Sequence, residues 1–72
     1  MSSDLRDLSD QLNALAEQLA DLAIDCLRRA ADPDDPRAAA AAAAEERRIT
    51  RARRAVEKAA VLLIGKEGDR DD

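Results

Sequence analysis

Residues 32–36 read Asp-Pro-Asp-Asp-Pro, and this stretch divides an otherwise helix-forming chain in two. Pro33 disfavours helical geometry at Asp32 by steric clash with its backbone. Asp35 followed by Pro36 reads as a helix N-cap and first helical position, because Pro lacks the N–H that a helix start leaves unpaired anyway. The five residues therefore end one helix and begin another. The spacing predicts a first helix over about 4–31, a loop over 32–35, a second helix over about 36–64 and a polar tail over 65–72. At about 1.5 Å per residue each helix is roughly 42 Å long. Equal lengths and a short loop give an antiparallel hairpin.

On the N-terminal side of the break, Leu5, Leu8, Leu12, Leu15, Leu19, Leu22 and Cys26 follow one another in steps of three or four. That is a heptad seam sustained over three repeats. Ser3 or Asp4 is the expected cap of this helix, with Asp7 in its first turn. Arg28 and Arg29 fall in the last turn, where cations suit the helix dipole.

On the C-terminal side, a seam runs Ala38, Ala42, Glu45, Ile49, Ala52, Val56, Ala59 and Leu63. Seven consecutive alanines, 38–44, make the start of this helix a strong helix former. They also leave room for the leucines of the first helix to approach its backbone. Gly65 is the expected left-handed C-cap.

The apolar surface exceeds what one partner helix covers. Leu5, Leu8, Leu12, Ala16, Leu19, Leu22 and Leu27 fill an arc of about 140° at about 100° per residue. Val61 and Leu62 lie off the seam of the second helix. Both features ask for a further covering surface, and a second copy in a two-fold four-helix bundle supplies it most simply. A chain of 72 residues has little core of its own, which argues the same way. Charge is divided too: the first helix is net −3, the second net +4. Such division favours pairing and sets orientation more than stability.

Composition narrows the chemistry. There is no His and no aromatic residue, and Cys26 is the one cysteine. An internal disulfide is impossible, and no zinc ligand set can be assembled. Base-stacking platforms are absent. Without His or Tyr, general-base work would fall to a carboxylate, and no pair of carboxylates is placed for it. The expectation is a non-enzyme with no cofactor and no metal. Cys26, on the leucine seam, reads as a small buried hydrophobe. No secretory leader and no membrane span is legible, which together with the single thiol points to the cytoplasm.

Two polar patterns on the second helix are candidate binding surfaces. Arg47, Arg51, Arg54 and Lys58 fall at i, i+4, i+7 and i+11 on a face away from the seam, with Val61 and Leu62 beyond them. A line of cations suits an acidic protein surface better than nucleic acid, since the chain is net −4 and carries no helix-turn-helix signature. Beside the seam, Glu46, Thr50, Arg53 and Glu57 gather within about 60°. They form either a ladder of i, i+4 pairs within the helix or the flank of a ligand site.

This second cluster resembles the motif of the actinobacterial helical-hairpin anti-sigma factors that bind cyclic di-GMP. Their pattern is Glu, Ser four residues on, Arg three further, Gln four further and Asp four further. Here the same register reads Glu46, Thr50, Arg53, Glu57 and Val61, within about 16 of 72 residues. Glu46 and Arg53 match, Thr50 is a conservative replacement, and Glu57 and Val61 depart from the pattern. The resemblance implies a hairpin that holds a sigma factor, with Glu46, Thr50 and Arg53 on a cyclic dinucleotide. In that family the Asp helps read a guanine edge. Val61 cannot, so ligand binding is not expected.

The reading of the sequence is an all-α hairpin, dimerising into a four-helix bundle, that binds a protein partner as a regulatory module. An anti-sigma-like hairpin or cyclic-dinucleotide sensor is one alternative. A purely structural oligomerisation element is the other.

Overall fold

The computed structural model describes residues 2–65, with the backbone alone for residues 2 and 3. The expected tail lies outside the described residues from residue 66 onward. Two helices make up the fold, α1 (Ser2–Ala30) and α2 (Pro36–Leu63), packed along their length as an antiparallel hairpin. Their bounds fall within one or two residues of those read from the sequence. No helix among the described residues is long and apolar enough to cross a membrane.

The break at residues 32–36 is built as its residue types require. The end of α1 tightens, with Ala31 N–H donating to Leu27 and Arg28 carbonyls and Asp32 N–H to the Arg29 carbonyl, each at 3.2 Å. Asp32 Oδ1 then accepts Asp34 N–H at 2.9 Å, an Asx-type turn. Asp35 is the N-cap of α2: its Oδ1 accepts Ala38 N–H at 3.1 Å, and Pro36 follows at N1. At the far end, Gly65 takes φ +77°, the left-handed conformation that glycine adopts without strain. At the start of α1 the expectation is corrected. The helix already begins at Ser2, so Ser3 and Asp4 lie inside its first turn and neither is the cap.

The packing between helices differs from the predicted seams. The buried residues of α1 are Ser9, Ala16, Ala23 and Cys26, with Leu12 and Leu19 half-buried between them. Ser9, Ala16 and Ala23, spaced seven residues apart, form a column of small side chains. In α2, Ala42 and Ala60 are buried, and Ala39, Glu46, Ile49, Arg53, Val56 and Leu63 are half-buried. These again run in alternating steps of three and four. Ala38 and Ala52 are exposed and belong outside the interface. So do Leu8, Leu15 and Leu22.

The cause is the choice of stripe. α1 is apolar over two overlapping heptad seams that share Leu5, Leu12, Leu19 and Cys26. The hairpin uses the seam whose second column is Ser9, Ala16 and Ala23, because small residues let two backbones approach closely. Ser9 Oγ donates to the Ala60 carbonyl at 2.8 Å, a buried hydrogen bond that fixes the register. Stepping seven residues up α1 and down α2 from that bond brings Ala16 level with Arg53 and Ala23 level with Glu46. The smallest side chains of one helix thus face the longest half-buried ones of the other.

Candidate functional site

Leu8, Leu15 and Leu22 form an exposed column along α1, with fractional exposures of 48%, 42% and 52%. Arg29 continues that column one heptad further. On α2 the corresponding column is Ala38, Glu45, Ala52 and Ala59. Arg29 Nη1 lies 4.0 Å from Glu45 Oε1, so the two columns border the same side of the hairpin. Leucines on one helix and alanines on the other therefore make a single broad face, closed towards the loop by this ion pair. Each seam read from sequence divides between the two surfaces: Leu12, Leu19, Cys26, Ala42, Ile49, Val56 and Leu63 pack between the helices, and Leu8, Leu15, Leu22, Ala38 and Ala52 lie on this face. Arg29 Nη2 also donates to Cys26 Sγ at 3.3 Å, and Cys26 itself is only 1% exposed.

The molecule measures 52 × 26 × 11 Å. Its least dimension equals one helix diameter with side chains, about 10–12 Å. A single layer of helices has no opposite layer to cover its apolar side, and stable domains use at least two. The free leucine column is the direct result.

The polar candidates lie elsewhere on α2. Glu46 Oε2 accepts Thr50 Oγ1–H at 2.6 Å, and Arg53 Nη1 lies 3.1 Å from Glu57 Oε2. Both i, i+4 pairs foreseen as a ladder within the helix are present. Glu46, Thr50 and Arg53 are half-buried, and Glu57 is exposed. Arg47, Arg51 and Arg54, with Glu46 and Thr50, border an open groove of about 380 Å³. Lys58 is exposed one turn beyond, Val61 is half-buried and Leu62 exposed. At about 100° per residue this line of cations points away from α1. Each glutamate of α2 has a partner elsewhere, so among the described residues no carboxylate pairs with Arg47, Arg51, Arg54 or Lys58. By the same geometry Asp7, Asp10, Glu17 and Asp21 line the edge of α1 that points away from α2. The hairpin is a slab with one acidic edge and one basic edge.

Of the seam read from sequence, Leu12, Leu19 and Cys26 lie against α2 as expected, and Leu8, Leu15 and Leu22 are left outside the hairpin. Sequence reasoning missed Ser9 and the column of small residues beginning there. The signal was available: Ser9, Ala16, Ala23 and Ala30 repeat at seven residues, as do the leucines beside them. Among the described residues no group of acids and Cys is placed to hold a metal ion. No protein-family model matches the chain, and no curated protein or solved structure does either.

Proposed function

We propose that this chain is a non-enzymatic interaction module that offers its leucine–alanine face to another helical surface and so completes a four-helix bundle. The observation that carries the reading is the exposed Leu8, Leu15 and Leu22 column on a slab one helix thick. Exposed apolar area that is continuous, rather than scattered, marks an interaction surface. A second copy supplies the matching face, giving a homodimer. A different helical protein, a sigma factor among them, is the regulatory partner that this face or the basic edge would engage. The basic edge of Arg47, Arg51, Arg54 and Lys58 stays outside such a bundle and suits an acidic partner. Static light scattering at micromolar concentration tests the dimer. Twice the chain mass is expected, and a stable, fully helical monomer would sink the reading.

A second reading, a cyclic-dinucleotide sensor, draws on Glu46, Thr50 and Arg53 lying together beside the groove. Against it, Thr50 and Arg53 already pair with Glu46 and Glu57. A ligand would have to displace both pairs, and Val61 offers nothing to a guanine edge. Isothermal titration with cyclic di-GMP should show no heat of binding up to high micromolar ligand. Saturable binding that Arg53→Ala removes would restore the sensor reading.

A further inference from the structure

We infer that the two copies pair with α1 of each lying across α2 of the other, about a two-fold axis parallel to the helices, so that both loops stand at the same end. This rests on the dimer reading above and adds its arrangement. Two hairpins brought face to face by a two-fold axis have two choices. An axis along the helices sets α1 on the partner's α2. An axis across them sets α1 on α1 and α2 on α2, with the loops at opposite ends.

Side-chain size separates the two. The exposed column of α1 is Leu8, Leu15 and Leu22, while the matching column of α2 is Ala38 and Ala52, exposed, with Glu45 and Ala59 half-buried. In the first arrangement the register of the Ser9–Ala60 bond carries over unchanged, since rotation about a parallel axis shifts nothing along it. Leu8 of one copy then meets Ala59 of the other, and Leu15 meets Ala52, to within about two residues or roughly 3 Å of rise. Large side chains fall on small ones at both contacts, and the layers stay parallel. In the second arrangement leucine meets leucine along one side and alanine meets alanine along the other. The layers would then splay on one side and leave a void on the other, and interiors do not tolerate voids of that size.

Charge separates them again. The outer edge of α1 carries Asp7, Asp10, Glu17 and Asp21, and that of α2 carries Arg47, Arg51, Arg54 and Lys58. The first arrangement stacks an acidic edge on a basic edge along both sides of the bundle. The second stacks acid on acid and base on base over the length of the helices. One term opposes the first choice: Asp32, Asp34 and Asp35 of both loops come to one end. Arg28, Arg29 and Arg37 are close to those carboxylates in sequence, and exposed charges further apart than about 8–10 Å are screened.

The Arg29–Glu45 pair bounds the contact. By the same register Leu22 of one copy falls opposite Glu45 of the other, so the leucine–alanine match covers Leu8 and Leu15 and ends at this pair. Each copy presents the same boundary, which fixes the two copies level with each other.

A nitroxide label at the exposed loop residue Asp34, introduced as Asp34→Cys with Cys26→Ala to leave one thiol, reads the arrangement through electron–electron dipolar coupling. Loops at one end place the two labels within about 25 Å, two helix diameters plus the label arms. Loops at opposite ends place them at least the length of a helix apart, roughly 42 Å. The short distance is expected. The long distance, with a dimer mass by light scattering, overturns this arrangement and leaves the dimer standing. Absent coupling with a monomer mass overturns both. If Cys26→Ala lowers helicity, Asp34→Cys alone serves, because Cys26 is buried and labels slowly; the same two distances then decide.

Discussion

At the scale of single residues, the hairpin is held by what is small. Cys26 is the largest side chain that is almost wholly buried, and the other buried residues are alanines and Ser9. Its place on the leucine seam was legible from spacing alone, because both overlapping seams of α1 pass through it. Its neighbour Arg29 was not foreseen, since nothing in the spacing says which way an arginine in the last turn will reach. Burial and the covering guanidinium lead to one expectation. The Cys26 thiol should react slowly with a thiol-specific reagent in the folded protein and at the full rate in denaturant. A native rate equal to the denatured one would put Cys26 on the surface and move the whole interface. Ser9 shows the opposite limit of legibility. A serine among leucines reads as polar surface, and only the position of the Ala60 carbonyl makes it the register-fixing residue.

At the scale of helices, the ends were easier to read than the faces. Pro and Gly act locally, through fixed φ and through freedom at positive φ, so Asp35-Pro36 and Gly65 could be placed without knowing what packs where. Replacing Asp35 by Ala removes the acceptor for Ala38 N–H and should cost about 1 kcal/mol of stability. The change should appear as a lower midpoint in urea with an unchanged slope. No change in the midpoint would mean that water satisfies that N–H as well as the carboxylate does. The faces are a global matter. Periodicity shows that a helix has an apolar stripe but not which neighbour takes it, and α1 has stripe enough for two. The predicted seams therefore held one column that packs between the helices, through Leu12, Leu19, Ile49 and Val56, and one that does not, through Leu8, Leu15, Leu22, Ala38 and Ala52. The ladder of Glu46 with Thr50 and Arg53 with Glu57 was legible, because i, i+4 neighbours on a helix meet whatever surrounds them. That Glu46 and Arg53 would sit level with Ala23 and Ala16 was not.

At the scale of the whole molecule, a slab of alanine-packed helices has too little buried apolar area to stand firmly alone. Fully burying a leucine contributes about 1.5–3 kcal/mol, and Leu8, Leu15 and Leu22 do not make that contribution within one chain. In the bundle Leu8 and Leu15 do so in both copies at once, so folding and pairing should be coupled. For the wild-type chain the thermal midpoint should rise with protein concentration, as mass action requires of a dimer. Leu15→Asp tests the coupling at the centre of the face. Leu15 is exposed in the hairpin, so the substitution leaves the Ser9, Ala16 and Ala23 interface untouched. In the bundle it removes two leucine contacts and sets two carboxylates into an apolar contact, where desolvation costs several kcal/mol each. The variant should be monomeric by light scattering, with a lower midpoint that no longer depends on concentration. Ala14→Asp, on the outer edge of α1, should leave both properties as in the wild type. A Leu15→Asp chain that kept its dimer mass would show that another surface joins the copies, and the leucine–alanine face would then be open for a different protein.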